Sequence, residues 1–221
     1  MIGIYDYTVI LTYLSLLSAS VGIAVTLSGG GSPYLGIFFL LFCGLCDAFD
    51  GRVASTKKNR SYEEKRFGIQ IDSLSDLVAF GVLPASIGYA LFRKLTFISK
   101  PAIWICVLVY AILLFYVLAA LIRLAYFNVT EEERQEKESG TRKAYTGLPV
   151  TSSAIIFPSI MLLHFITPLD ITCLYFVAIL GVAFAFLLKF QLKKLDMRGI
   201  LYFVLIGALE FLLLFALKFF R

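Results

Sequence analysis

Four aspartates stand in two pairs within otherwise apolar sequence: Asp47 with Asp50, and Asp72 with Asp76. Spacings of three and four put each pair on one face of a helix. A carboxylate left at mid-membrane costs about 2.5–3.5 kcal/mol on insertion scales, so four cost on the order of 10 kcal/mol unless something offsets them. A divalent cation in a wet cavity does so, because Mg²⁺, Mn²⁺ and Ca²⁺ all prefer hard oxygen donors. Two such ions would also balance the charge of a bound diphosphate. Gly51 lies four residues after Asp47, Ala54 four after Asp50, and Gly68 four before Asp72. Lack of bulk on the acidic faces lets a nucleotide or its phosphates approach the backbone. Taken singly, such residues equally suit close helix packing in a membrane.

The elements that must hold these acids are membrane helices. Of the 221 residues 60% are hydrophobic and 16% charged, with a mean hydropathy of +0.88. A soluble domain of this size could not bury so much apolar surface. The chain reads as an all-α, polytopic helical bundle forming one domain over 1–221. About seven spans are expected, at 8–28, 34–54, 69–92, 101–127, 148–167, 169–188 and 199–219. The start, Met1-Ile2-Gly3-Ile4-Tyr5-Asp6, lacks a basic n-region, so the first span is expected to be retained.

With the N-terminus in the cytoplasm, segments 52–66, 123–143 and 189–198 carry fifteen of the twenty Lys and Arg. The positive-inside bias then places both aspartate pairs near the cytoplasmic face of the cell membrane. The net charge of +5 suits anionic headgroups or phosphates. No basic-aromatic groove pattern accompanies it, so nucleic acid is not an expected partner.

Among the polar segments, Thr130 to Thr146 begins with Glu131-Glu132-Glu133-Arg134 and reads as a short surface helix or a solvated connector. Cys43-Gly44-Leu45-Cys46 sits inside an apolar helix with no second such pair and reads as packing rather than a zinc or redox site. His164, the single histidine, is assigned no role. Glu210, alone in the last span, reads either as a packing residue or as an intersubunit contact.

The residues Asp47-x-x-Asp50-Gly51-x-x-Ala54 followed by Gly68-x-x-x-Asp72-x-x-x-Asp76 resemble the signature of the CDP-alcohol phosphotransferase family, D-x-x-D-G-x-x-A-R…G-x-x-x-D-x-x-x-D. Seven of its eight fixed positions agree. Ser55 stands where the family has arginine, and the twelve-residue spacer to Gly68 is about four longer than usual. Lys57, Lys58, Arg60 and Arg66 in that enlarged loop are the cations available to replace it. Phe67 to Pro84, Arg123 to Asn128 and Gly147-Leu148-Pro149 further resemble the family's phosphatidylserine synthase branch. The matching blocks run from Asp47 to Pro149, and the remainder to Arg221 reads only as apolar membrane segments.

The resemblance implies a six-helix core with an extra helix, a homodimer, and attack of a small alcohol on the lipid-side phosphorus of CDP-diacylglycerol with departure of CMP. For that branch the alcohol would be L-serine. Glycerol 3-phosphate or inositol phosphate as acceptor is the nearest alternative, and a divalent-cation transporter a more distant one. By the same resemblance Asp47, Asp50 and Asp72 would ligate Mg²⁺ or Mn²⁺, with Ca²⁺ as the alternative, and two ions are expected, with Asp76 joining the second. Asp76 would also serve as general base for the serine hydroxyl. Gly51, Ala54, Ser55 and Gly68 would face the nucleotide. Arg123 and Lys143 would meet the serine carboxylate or a phosphate, though the charge bias alone also accounts for Arg123 at a membrane boundary.

Overall fold

The computed structural model describes residues 3–29, 31–94, 101–137, 144–167, 170–193 and 197–219. The protein is a polytopic helical membrane protein. Helices α1 (Ile10–Leu27), α2 (Pro33–Thr56), α3 (Tyr62–Asp76), α4 (Leu83–Arg93), α5 (Ile103–Lys137), α6 (Ser153–Ile166), α7 (Thr172–Leu187) and α8 (Met197–Phe219) follow in order. The α3–α4 pair is one continuous rod, joined by π-helical turns at Leu77–Val82, so seven rods match the seven expected spans. Five are long and apolar enough to cross a bilayer, while those at Val150–Phe165 and Thr172–Leu187 are shorter.

Two boundaries differ from the sequence expectation. The third rod begins at Tyr62, not near residue 69, because Ser61 and Glu64 form a reciprocal capping box. The Ser61 hydroxyl accepts from the Glu64 amide at 3.1 Å, and the Glu64 carboxylate accepts from the Ser61 amide at 2.9 Å. The charged stretch after Thr130 is neither a separate surface helix nor a connector at its start. Glu131 to Lys137 extend α5 unbroken to 35 residues, about 52 Å, well beyond the roughly 30 Å hydrocarbon thickness. Arg134 pairs with Glu131 at 2.6 Å one turn back, and Arg66 of α3 reaches Glu132 at 2.9 Å.

The π-helical turns have an identifiable cause. Pro84 carries no amide hydrogen and its ring crowds the carbonyl four residues earlier, that of Phe80. The backbone widens, with the Leu83 amide bonding the Val78 carbonyl. The released Phe80 carbonyl accepts the Tyr116 hydroxyl at 2.7 Å, and the Pro84 carbonyl accepts the Tyr175 hydroxyl at 2.9 Å. Both tyrosines are fully buried, and Tyr116 also bonds Ser153 at 2.8 Å. The core is thus cross-linked through the one place where the rod's own ladder fails.

Small residues set the helix spacing. A Cβ at Gly22 would lie 2.7 Å from the Phe39 Cβ, and one at Gly44 2.6 Å from the Ala154 Cβ, so α1 meets α2, and α2 meets α6, at backbone contact. Cys43 and Cys46 are buried free thiols within α2, and the Cys43 thiol donates to the Ser15 carbonyl at 3.3 Å. At the far end Lys94 donates to the Gly31 carbonyl, joining the α1–α2 turn to the end of α4. His164 packs against the rings of Tyr34 and Phe165 near that end. The Ser159 hydroxyl donates to the buried Glu210 carboxylate, which locks α8 to α6. Strands β1 (Ala144–Thr146) and β2 (Gln191–Lys193) form a short antiparallel pair at the aspartate end.

Candidate metal and substrate site

Helix α2 and the α3–α4 rod form a hairpin that packs together through α4, with Asp50 six residues before the end of α2 and Asp72 ten after the start of α3. This brings Asp47, Asp50 and Asp72 together: one carboxylate oxygen from each lies within 4.8 Å of the others, and all three side chains are half-buried. Three convergent hard-oxygen donors fit a divalent cation of the Mg²⁺ or Mn²⁺ kind. Among the described residues no Lys or Arg forms an ion pair with any of the four aspartates. Among the described residues the acids therefore have no ion-paired counter-charge.

Asp76 does not join this cluster. In the antiparallel hairpin it lies one turn, about 6 Å, beyond Asp72 along α3, away from the ends of the helices. It is 8% exposed, against the half-buried triad. The residues beside Asp72 and Asp76 are anchored on both flanks. Ser73 and Asn128 of α5 exchange hydrogen bonds at 3.1 and 2.8 Å, and the Ser75 hydroxyl donates to the Thr12 carbonyl of α1 at 3.1 Å. Sequence reasoning had no role for Ser73, Ser75 or Asn128. The signal was present in the alternation Asp-Ser-Leu-Ser-Asp, where each serine borders an acid.

The remaining expected residues fall into distinct settings. Gly51 faces open space, with nothing within 4 Å of where a Cβ would stand, and Ala54 is half-buried three residues on. Ser55 is exposed, and its hydroxyl turns back to the Arg52 carbonyl at 2.7 Å, so it makes no contact across the site. Gly68 is covered: the Arg60 guanidinium lies over it, its Nη2 2.6 Å from where a Cβ would sit. Lys143, with Arg142 and Lys194, lies outside the described residues.

Arg123 is only 6% exposed, which is not the setting of a boundary arginine reaching for headgroups. Its Nε donates to the Leu148 carbonyl at 3.1 Å, and the guanidinium lies over the Phe127 ring at 5.3 Å. Gly147 adopts a positive φ of 75°, which glycine reaches without strain. The Leu148 amide then donates to the Ala185 carbonyl at 3.2 Å, one of the carbonyls left open at the end of α7. Arg123 thus holds the Gly147-Leu148-Pro149 turn and, through it, α7.

Beyond the helix ends, Lys57 bridges Asp6 at 2.7 Å and Glu64 at 2.8 Å. The Lys57 ammonium, with the Thr8 hydroxyl, holds the Asp6 carboxyl down to about 2. The same bonds to Asp6 and Glu64 raise the Lys57 ammonium above its ordinary value. These pairs tie the segment before α1 to the α2–α3 loop.

Fold and site together define a class: a helical membrane protein with a carboxylate triad, built on a hairpin, of the kind that holds a hard divalent cation. The chain belongs to the CDP-alcohol phosphatidyltransferase family, whose profile matches residues 8–188. That match extends past the blocks recognisable in the sequence and ends one residue after α7, so it takes in six rods and leaves α8 outside. A CDP-diacylglycerol–serine O-phosphatidyltransferase of Saccharomyces cerevisiae is 38% identical over 117 residues, 52% of this chain and 37% of the yeast protein. An archaetidylserine synthase of Methanothermobacter thermautotrophicus is 32% identical over 161 residues, 71% of this chain and 59% of that protein. A CDP-diacylglycerol–serine O-phosphatidyltransferase of Helicobacter pylori is 30% identical over 143 residues, 62% and 52% respectively. The chain spans about half the length of the curated relatives it matches. No solved structure matches the chain.

Proposed function

We propose that the protein is a phosphatidylserine synthase, transferring the phosphatidyl group of CDP-diacylglycerol to the hydroxyl of L-serine with release of CMP. The observation that carries the reading is the convergence of Asp47, Asp50 and Asp72 from the two halves of the family signature. The serine acceptor is supported by the names of the relatives, which share serine and differ between phosphatidyl and archaetidyl.

Asp47, Asp50 and Asp72 would hold Mg²⁺ or Mn²⁺, which when bound neutralises the diphosphate and withdraws electron density from the phosphorus under attack. A second ion would take Asp76 as a ligand beside the triad. Asp76, enclosed and set apart from the three ligands, is the proposed general base: a carboxylate oxygen takes the proton of the serine hydroxyl as its oxygen bonds to phosphorus. The phosphorus–oxygen bond to CMP then breaks, and CMP leaves with the electron pair. The open face at Gly51 and the half-buried Ala54 leave room for the nucleotide. The Ser73–Asn128 and Ser75–Thr12 bonds keep the α3 acids from swinging apart. Phosphoryl transfer depends mainly on such positioning and charge compensation.

The bias of the basic segments supports a site on the cytoplasmic side of the cell membrane, where cytidine nucleotide and serine would both be available. The assembly is proposed to be a homodimer in which residues 1–221 act as one domain. The test is purified protein in lipid vesicles supplied with CDP-diacylglycerol, Mn²⁺ and, in separate reactions, L-serine, glycerol 3-phosphate or inositol phosphate. CMP release with a phosphatidylserine product is expected only with serine. Lipid product with glycerol 3-phosphate and none with serine overturns the acceptor, and cation uptake without CMP release overturns the reaction.

A further inference from the structure

The α2–α3 loop and the first turns of α3 carry more positive charge than their local partners use. Lys57 is committed to Asp6 and Glu64, and Arg66 to Glu132 and the Tyr62 hydroxyl at 3.1 Å. Lys58 and Lys65 are exposed. Arg60 differs from all of these. It forms no ion pair among the described residues, its Nε is buried without a hydrogen-bond partner, and its Nη2 makes one bond, to the Glu64 carbonyl at 3.1 Å.

Its placement is specific. The guanidinium rests in the gap left by the missing side chain of Gly68, a gap any other residue would fill. Gly68 and Asp72 are four apart and share a face of α3, so the guanidinium lies about one helical turn from the third carboxylate of the triad. Arg52 also has a buried nitrogen, Nη2, without a partner, but its guanidinium lies over the Phe49 ring. Helical spacing puts Arg52 roughly 140° or more around α2 from both Asp47 and Asp50. Among the described residues Arg60 is therefore an unpaired cation placed on the acids' own face of α3.

A half-buried guanidinium with an unused donor beside a metal-type triad is suited to an anion, and a diphosphate presents oxygens in the spacing its fork accepts. We propose that Arg60 binds the diphosphate of the nucleotide-linked lipid substrate and fixes it against the metal site. This rests on the reaction proposed above. Arg60 comes from the enlarged loop, and the adjacent Ser55 makes no contact across the site, so the loop's extra length delivers the cation that position 55 does not.

The experiment compares Arg60→Gln, Arg60→Lys and Lys57→Gln in vesicles. Arg60→Gln is expected to raise KM for CDP-diacylglycerol about tenfold, with kcat and the KM for serine changed less than twofold. Arg60→Lys, which keeps the charge but not the fork, should recover only part of that loss, and Lys57→Gln should leave KM unchanged. In parallel, calorimetric binding of inorganic pyrophosphate with Mn²⁺ should weaken by a similar factor in Arg60→Gln alone. An unchanged KM and pyrophosphate affinity in Arg60→Gln, an equal loss in Lys57→Gln, or a fall in kcat and melting temperature at constant KM overturns the assignment. If the unaltered protein releases no CMP with any alcohol, the reaction is wrong, and the pyrophosphate measurement still decides the role of Arg60.

Discussion

Replacing Asp50 by Asn should stabilise the protein in a chelator and disable it in metal. The three triad oxygens lie within 4.8 Å of one another, and no described cation pairs with them. Two unit charges at that separation repel by about 3.5 kcal/mol at an effective dielectric constant near 20. The amide removes two of the three repulsive pairs, a ceiling of about 7 kcal/mol. Because the side chains are only half-buried, water reduces this, and a gain of about 2 kcal/mol is the working value. For a chain of this length that raises the melting temperature by roughly 4–8 °C. In Mn²⁺ at a hundred times its dissociation constant the unaltered protein gains about 2.7 kcal/mol, which the variant forgoes. The assay is thermal unfolding in detergent with EDTA and with Mn²⁺, read beside CMP release. The order of stability should reverse between the two conditions, and turnover should be lost in the variant. A variant less stable than the unaltered protein in EDTA, or one whose melting temperature still rises equally with Mn²⁺, refutes the triad as a shared cation site.

Asp76→Asn should retain the Mn²⁺-dependent rise in melting temperature while kcat falls by roughly 10²-fold or more, the scale of general-base assistance. Loss of the metal response would instead make it a ligand. Tyr116→Phe leaves the Phe80 carbonyl buried without its donor, so melting should report a loss of about 1–3 kcal/mol. No loss would show that the π-helical turns satisfy themselves. Asp6→Asn tests the bridge to Lys57: with the carboxyl at about 2 in the folded protein against an ordinary 3.8, its contribution is complete above about pH 4 and fades as pH falls toward 2. The melting-temperature difference between the two proteins should therefore be constant from pH 5 to 8 and shrink in acid. A difference that grows on acidification would show that the aspartate is unpaired in solution.

Seven rods were legible because each is an apolar run, and burial of such runs in lipid leaves helix as the only way to satisfy the backbone. The Asp47–Asp50–Asp72 convergence was legible because both pairs sit at helical spacing on either side of one loop. Asp76 shares a face with Asp72, but a shared face says nothing of depth, and the rise of one turn sets it deeper along α3 than the three grouped acids. The early start of α3 was readable from Ser61 and Glu64, whose capping pattern was overlooked among the loop charges. Arg123 read either as a substrate contact or as a boundary charge, because its bond to a backbone carbonyl 25 residues on leaves no mark in composition. The π-helical turns required both Pro84 and a tyrosine from another helix, and only the first is local.

Those turns allow the α3–α4 rod to serve two environments. Admitting one residue beyond the regular count rotates everything downstream by roughly 100° relative to an unbroken helix. The stripe of acids that begins at Asp72 therefore does not continue along α4, where Leu83, Ile87 and Leu91 turn inward instead. One half of the rod carries the acids while the other packs apolar side chains into the core, and the change between them falls in the turns just past Asp76.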